Sequence, residues 1–329
     1  MNTFRWCFLI AATAASTASF AQPAYSSLYV FGDSLSDVGN DLQVTGGAIP
    51  APAYYASGRF SNGANYADHL AAGLGLSPLL PSAIGGTDYA FGGARVGSVA
   101  AGLPATALNF TQQLAAFDAG HAQADPTGLY VLWIGANDMA DALGTGNPAV
   151  VGAAIGATMQ GIGAAVADLA GRGAAHFLIP NLPDLSLIPS ARAIGIPSVL
   201  AGIHNASIGF NLQLSATLAQ PAFAALDIRT LDVFGAQTAI TANPGAYGFA
   251  NVTDACYTGG VDGQPLQPGG SAPTACADPG SYLYWDYEHP TAALHELIGG
   301  RALAAAVPEP SSWLMMALGL SGLLLRRRR

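Results

Sequence analysis

The sequence contains no lysine, and charged side chains of either sign are scarce. Of its 329 residues only 9% are charged, all 11 basic residues are arginines, and the formal net charge is −9. Binding to nucleic acid requires a basic surface that neutralises phosphates. The composition therefore excludes a nucleic-acid partner. With 51% hydrophobic residues and so little charge, the chain is also not intrinsically disordered.

Long apolar runs are absent except at the two ends, and neither reaches the roughly 18 residues of a membrane-spanning helix. The first run follows Arg5 and ends at small residues around Ala21, as in a secretory signal peptide. We therefore expect residues 1–21 to direct export and then to be removed. A first helix of the folded core is the alternative.

The second apolar run, residues 313–325, is preceded by Pro308-Glu309-Pro310 and followed by four arginines. Thirteen helical residues span about 20 Å, less than the ~30 Å of a bilayer core. The arrangement resembles the PEP-CTERM signal of Gram-negative bacteria. This resemblance implies that residues 307–329 are a sorting tail with transient membrane contact, recognised by an exosortase-type enzyme. It also implies a place in the cell envelope or extracellular matrix, whereas a short permanent membrane helix is the alternative.

Cysteine is scarce as well, with three in the whole chain. Cys7 would leave with the signal peptide, and Cys256 and Cys276 would remain in an oxidising compartment. Two cysteines 20 residues apart in a loop-rich stretch most simply form one disulfide. Closing such a loop contributes roughly 3 kcal/mol to stability. No further metal ligands lie nearby, so we expect no metal ion. No other feature of the sequence supports a nicotinamide or flavin cofactor.

Residues 22–306 are predicted to form one domain in which apolar strands alternate with helices. Strands without polar residues, separated by helices, are typical of a parallel sheet covered on both faces. In such sheets ligands bind at the carboxyl ends of the strands. The predicted strands are 28–31, 129–134, 176–179 and 226–231, the predicted helices are 66–74, 150–169, 203–218 and 291–305, and residues 243–285 are predicted to be a long loop region.

Polar residues follow three of these strands: Asp33 and Ser34, Asn137 and Asp138, and Asn181. Ser34 comes directly after a buried strand, which places its hydroxyl and its free N–H at the rim of the sheet. A nucleophile that also helps to hold an oxyanion needs both groups. An ordinary helix cap is the alternative interpretation.

Two further segments supply complementary chemistry. Asp286 and His289 are three residues apart before a predicted helix, so the carboxylate can fix the imidazole tautomer and leave the ring to act as a base. Asn137 and the glycine turn 92–93 can donate N–H groups to the same cleft. The Gly-x-Ser-x-Gly elbow is absent, which disfavours a standard α/β-hydrolase.

These motifs resemble those of the GDSL esterase/lipase family in the SGNH hydrolase superfamily. The matching blocks cover roughly residues 27–305 in the family's order. The resemblance implies a three-layer α/β/α, flavodoxin-like fold with a central parallel sheet, and ester hydrolysis without a metal. The blocks are Phe31-Gly32-Asp33-Ser34-Leu35-Ser36-Asp37, Tyr89-Ala90-Phe91-Gly92-Gly93-Ala94, Gly135-Ala136-Asn137-Asp138, and the pair Asp286 and His289.

The resemblance also implies a role for each of these residues. Ser34 is the nucleophile, His289 the base and Asp286 its orienting partner. With an ordinary imidazole pKa, activity is expected to fall below about pH 6. The implied oxyanion donors are the N–H of Ser34, the N–H of Gly93 in preference to that of Gly92, and the side chain of Asn137.

We therefore predict a secreted serine ester hydrolase that cleaves carboxylic esters, with short-to-medium acyl groups or lipids as substrates, through an acyl-enzyme. An acetylesterase acting on envelope exopolysaccharide, and a phospholipase or acyltransferase, are alternatives within enzymes. A matrix-bound interaction module that keeps the fold without the activity is the alternative outside enzymes.

Overall fold

The structure is a computed structural model that describes residues 25–307. The predicted signal peptide and the sorting tail after Val307 lie outside these residues. Short 3₁₀ turns occur between the main elements. The strands are β1 Leu28–Gly32, β2 Leu129–Trp133, β3 His176–Pro180, β4 Asp227–Leu231, β5 Asn251–Ala255 and β6 Tyr282–Tyr284, and the helices are α1 Asn40–Val44, α2 Tyr66–Gly73, α3 Phe110–Gly120, α4 Ala136–Gly144, α5 Pro148–Gly171, α6 Pro189–Arg192, α7 Pro197–Leu218, α8 Val233–Ala242 and α9 Ala292–Ala306.

Four strands form the central sheet, in the order β1-β2-β3-β4, and every neighbouring pair is parallel. Segment 87–91 extends the sheet beyond β1, because Tyr89 N–H donates to Val30 O at 2.7 Å. The first two strands, LYVFG and LYVLW, are buried along their whole length. Strands that are apolar on both faces must be shielded from water on both sides, so a layer of helices is required on each face of the sheet.

Side chains alternate between the two faces of β1, and each face meets its own core. Tyr29 and Phe31 pack with residues of α3, α5 and α7, whereas Leu28 and Val30 pack with residues of α2, α8 and α9. Helices thus cover the parallel sheet on both sides. The predicted three-layer α/β/α fold is confirmed.

Helix starts are specified locally by the sequence. Asn65 precedes α2 as its N-cap and forms a capping box. Its side chain accepts from Asp68 N–H, and the side chain of Asp68 accepts from Asn65 N–H. Asn147 caps α5, whose first residue is Pro148. By length and composition α5 is the one helix within residues 25–307 that could cross a membrane. Its buried residues, Met159 and Ile162 among them, pack in the core on one face of the sheet.

The segment predicted as a long loop contains more structure than expected. Strands β5 and β6 pair in parallel there as a separate two-stranded sheet. The sequence pattern misses β5 because Asn251–Ala255 is short and mostly polar. Helices α1, α3, α4, α6 and α8 also have no counterpart among the predicted helices. The predicted disulfide between Cys256 and Cys276 is present and closes the loop between the two short strands.

Candidate active site

Ser34 lies in a tight turn at the carboxyl end of β1, half-buried. The turn is stabilised from within, since Asp33 O accepts the N–H groups of Ser36 and Asp37, and Asp33 Oδ1 accepts that of Leu35. The Ser34 N–H has no acceptor within residues 25–307. Hydroxyl and N–H are therefore both available at the sheet rim.

His289 lies in the loop before α9, in a turn formed by Asp286. Asp286 Oδ1 accepts the N–H groups of Glu288 and His289, at 2.9 and 2.7 Å. The other carboxylate oxygen, Oδ2, lies 2.8 Å from His289 Nδ1. With Nδ1 protonated and bound to the carboxylate, Nε2 is left as a hydrogen-bond acceptor.

Ser34 and His289 meet although 255 positions separate them, with 2.8 Å between Ser34 Oγ and His289 Nε2. The ring of Phe60 packs beside the imidazole, with centroids 5.4 Å apart. Asp286 and His289 are 4% and 7% exposed. The three predicted catalytic residues thus form one hydrogen-bonded chain, largely shielded from water.

The charges of this pair stabilise each other. Burial lowers the pKa of His289, but the carboxylate of Asp286 outweighs it and raises that pKa to about 9. Burial opposes ionisation of Asp286, yet the charge of His289 and the hydrogen bonds to the carboxylate keep its pKa below the usual range. The pKa of His289 therefore lies above the ordinary imidazole value on which the expected activity limit near pH 6 was based.

The glycine turn presents one N–H to the site. Gly92 N–H donates to Asp37 Oδ2 at 3.2 Å, whereas Gly93 N–H has no acceptor in the described part of the chain. Gly93 has a φ of 66°, which favours glycine, and Arg95 Nη1 fixes its carbonyl with a hydrogen bond of 2.6 Å. Asn137, on the first turn of α4, donates to Ala94 O at 3.1 Å and keeps a second amide hydrogen. This supports Gly93 over Gly92 as an oxyanion donor.

Two other polar residues at strand ends have structural roles. Asp138 accepts the N–H of Val96 and so supports the loop after Gly93. The side chain of Asn181 accepts from Val233 and Phe234 at the start of α8. Of the polar residues that follow the strands, Ser34 after β1 and Asn137 after β2 are the ones that border two cavities at His289.

Sequence reasoning missed two residues that hold the site. Tyr55 donates its hydroxyl to Asp286 Oδ2 at 2.6 Å. Gln113, on α3, binds both backbone groups of Gly32, the last residue of β1, at 2.9 and 2.8 Å. Both lie far from the motifs along the chain, and neither belongs to a pattern in the sequence that points to the site.

Two cavities meet at Ser34, Asn137 and His289. The first, here called the apolar cavity, has a volume of about 290 Å³. The apolar cavity is lined mainly by aliphatic side chains, including Leu35, Leu185, Ile203, Val233, Leu294 and Ile298.

Within residues 25–307 no group of three or more His, Cys, Asp and Glu is arranged to hold a metal ion.

Comparison with known proteins finds relatives over most of the chain. The family model described as GDSL-like lipase/acylhydrolase matches residues 28–301. The chain belongs to this family. The α/β fold with its central parallel sheet agrees with that membership, and the protein is an ester hydrolase. A second family model, the PEP-CTERM protein-sorting motif, matches residues 306–329 and indicates export towards the envelope of a Gram-negative bacterium.

Individual relatives span this chain to different extents. Lipase 1 of Photorhabdus luminescens is 37% identical over 170 residues, which cover 50% of this chain and 23% of that protein. The phosphatidylcholine-sterol acyltransferase of Aeromonas hydrophila is 26% identical over 90% of this chain and 91% of its own length. A crystal structure of a lipolytic G-D-S-L family member from Veillonella parvula covers 84% of this chain and 96% of its own, with 15% identity and a TM-score of 0.43.

Proposed function

We propose that this GDSL hydrolase cleaves carboxylic esters with Ser34 as nucleophile, His289 as general base and Asp286 as the residue that orients His289. The observation that carries the proposal is the chain of two 2.8 Å contacts, Ser34 Oγ to His289 Nε2 and His289 Nδ1 to Asp286 Oδ2. Nucleophile, base and orienting carboxylate are the three parts that acyl transfer to a hydroxyl requires.

The reaction has two halves. Ser34 Oγ attacks the ester carbonyl carbon while His289 Nε2 takes the hydroxyl proton, and the same proton then passes to the departing alcohol. Water next attacks the acyl-enzyme, gives a proton to His289 and releases the acid, and the proton returns to Ser34. Asp286 stays ionised throughout and stabilises the imidazolium that forms in each half.

Three N–H donors stabilise the negative oxygen of the tetrahedral intermediate in this proposal. They are the backbone N–H groups of Ser34 and Gly93 and the side-chain amide of Asn137. The first two have no acceptor within residues 25–307, and the amide of Asn137 retains one hydrogen beyond its bond to Ala94 O. Donors that are fixed before the reaction stabilise a developing charge without reorganisation.

The apolar cavity supports an acyl group longer than acetyl. Its aliphatic lining reaches from Ser34 to Ile298 on α9, and its volume is about 290 Å³. Burying each methylene in such a site contributes about 0.8 kcal/mol, so a chain that fills the cavity binds better than acetate, which leaves most of it empty. Esters of medium-chain acids therefore suit this cavity best.

The same proposal covers the organisation of the chain. Residues 1–21 act as the signal peptide, residues 22–306 form the hydrolase domain, and residues 307–329 form the sorting tail. An exosortase-type enzyme recognises the tail, and the hydrolase then acts in the cell envelope or the extracellular matrix. The apolar run after Arg5 supports the signal peptide, and the match of residues 306–329 to the sorting motif supports the tail.

Replacement of the nucleophile tests the proposal. Hydrolysis of p-nitrophenyl acetate, butyrate and octanoate is measured for the wild-type protein and for Ser34→Ala. We expect the octanoate to be the best of the three and Ser34→Ala to lose on the order of 10⁴-fold or more in kcat. A folded Ser34→Ala protein with near wild-type activity would refute the assignment of the nucleophile.

A further inference from the structure

A second cavity, here called the polar cavity, also reaches Ser34 and His289 and has a volume of about 570 Å³. Loops that do not border the apolar cavity form its other walls. They contribute Phe60, Gly92 and Gly93, and Val261 and Asp262 from the disulfide-closed loop. A volume of this size is in the range of small-molecule sites.

Two cavities that converge on one nucleophile correspond to the two halves of an ester. The acyl chain and the alcohol leave the carbonyl carbon in different directions, so each half needs its own space. The aliphatic walls of the apolar cavity suit the acyl chain. The polar cavity is left for the alcohol, close to His289 Nε2, which must protonate it.

Charged groups around the polar cavity are mostly acidic. Its two basic side chains are each paired with a carboxylate, Arg95 with Asp141 at 2.7 Å and His289 with Asp286 at 2.8 Å. Asp262 and Glu288 are exposed and form no ion pair within residues 25–307. The excess of carboxylates repels an alcohol that carries a phosphate, whereas an uncharged alcohol experiences no such repulsion.

Asp41 lines the same cavity, and its carboxyl group accepts and donates no hydrogen bond of good geometry within residues 25–307. Both of its carboxyl oxygens are buried without a donor or acceptor in the described residues. Its Oδ2 lies against Gly92, where a Cβ atom would be only 2.5 Å from it. An unpaired buried carboxyl is costly, and a ligand hydroxyl would satisfy it.

The ionisation state of Asp41 fits that ligand. Burial and the charge of Asp37 raise the pKa of Asp41 to about 9, although the nearby N–H of Gly92 acts in the opposite direction. The carboxyl is therefore neutral at pH 7, with one O–H to donate and one oxygen to accept. A hydroxyl group, which is itself both donor and acceptor, matches this pair of functions.

We propose that the polar cavity binds the alcohol portion of the ester and selects an uncharged polyhydroxy alcohol, a sugar or glycerol unit, through a hydroxyl bonded to the Asp41 carboxyl. This inference rests on the proposed function, because it assigns the second half of the substrate to the Ser34 site. The natural substrate class is then a medium-chain ester of a polyol rather than a phospholipid.

Four octanoyl esters test the proposal: those of glucose, glycerol and methanol, and dioctanoyl phosphatidic acid, whose headgroup is an anionic phosphate. Asp41→Leu removes the hydrogen-bonding groups, whereas Asp41→Asn keeps one donor and one acceptor without charge. Glu296→Gln, at an exposed position on α9, serves as the control for loss of an acidic residue. The measured quantity is kcat/KM of each ester divided by that of methyl octanoate, which cancels general damage to the site.

We expect Asp41→Leu to lower the glucose and glycerol ratios about five- to tenfold, the size of one lost hydrogen bond, and Asp41→Asn to stay within about twofold. The phosphatidic acid ratio is expected to be the lowest in the wild type. Equal losses in both Asp41 variants, or phosphatidic acid as the best substrate, would overturn the proposal. If Asp41→Leu lowers only the glucose ratio or only the glycerol ratio, the ratio that falls identifies the polyol that the cavity binds. Absence of all ester cleavage by the wild type would instead refute the proposed function.

A wild-type measurement decides the matter if Asp41→Leu does not fold. During turnover of p-nitrophenyl octanoate, an added alcohol can replace water: its oxygen bonds to the acyl carbon as the bond to Ser34 Oγ breaks, and its proton passes through His289 to Ser34. Octanoyl transfer to glycerol or glucose is expected to saturate with alcohol concentration, whereas transfer to 1-propanol should rise linearly. Linear dependence for all three alcohols would show that the cavity does not bind polyols.

Discussion

The hydroxyl of Tyr55 donates a 2.6 Å hydrogen bond to Asp286 Oδ2, the same oxygen that holds His289 Nδ1. Tyr55 is 2% exposed, and its ring lies edge-on to that of Tyr257, with centroids 5.6 Å apart. Tyr257 directly follows Cys256 of the disulfide. The carboxylate that holds the imidazole is therefore fixed by two distant loops as well as by its own turn.

Loss of this hydrogen bond should change the pH dependence more than the maximal rate. In Tyr55→Phe the carboxylate loses a donor, becomes more basic and holds the proton on His289 more strongly. We expect the rise of kcat/KM with pH to shift upwards and the value at pH 7 to fall about three- to tenfold. Profiles of kcat/KM against pH with methyl octanoate measure both effects.

Tyr54→Phe is the matched control for this change. The ring of Tyr54 stacks on Tyr257, with centroids 4.6 Å apart, and its hydroxyl has no protein partner within residues 25–307. Its profile should coincide with that of the wild type. If Tyr55→Phe also coincides with the wild type, the hydrogen bond does not affect His289.

The pKa of His289 predicts an alkaline enzyme. Although burial lowers it, Asp286 raises that pKa to about 9, and only the neutral imidazole can accept the proton of Ser34. Activity on methyl octanoate should therefore increase about tenfold per pH unit below that value and level off near pH 9. Ser34→Ala supplies the blank for chemical hydrolysis at high pH. A plateau that begins near pH 6.5 would show that His289 titrates as an ordinary imidazole.

Asn137→Ala should impair the chemical step rather than binding. Removal of one oxyanion donor typically lowers kcat by 10²- to 10³-fold with little change in KM. Asn205→Ala, at an exposed position on α7, is the control, because it removes a side-chain amide outside the active site. Steady-state kinetics with p-nitrophenyl octanoate give kcat and KM separately. A rise in KM at constant kcat would assign Asn137 to ground-state binding instead.

The apolar cavity predicts how acyl-chain preference can be changed. Ala236 on α8 is buried and lines this cavity, whereas Ala239 on the same helix is exposed. Ala236→Leu fills part of the cavity, so kcat/KM for the octanoate should fall about tenfold or more relative to the butyrate. Ala239→Leu should keep the wild-type order. An unchanged chain-length preference in Ala236→Leu would place the acyl group elsewhere.

The fold and the centre of the site could be predicted from the sequence because both depend on local patterns. Buried strands lack polar residues, and Ser34, Asn137 and His289 occur in motifs at predictable ends of elements. The hydrogen bond from Tyr55 could not be predicted, because 231 residues separate it from Asp286 and only the packed loops bring them together. The raised pKa of His289 could not be predicted either, because it depends on how closely the folded chain brings the Asp286 carboxylate to the imidazole, against the opposing effect of burial. Strand β5 was missed because its residues are mostly polar and its one partner is a short strand.

The central claim is that the hydroxyl of Ser34, activated by His289, is the group that attacks the substrate. A fluorophosphonate probe reacts covalently with such a serine, and peptide mapping by mass spectrometry locates the adduct. The account predicts one adduct on Ser34 of the wild-type protein, none in Ser34→Ala and much slower formation in His289→Ala. Labelling at another residue, or an adduct that forms equally fast without His289, would contradict it.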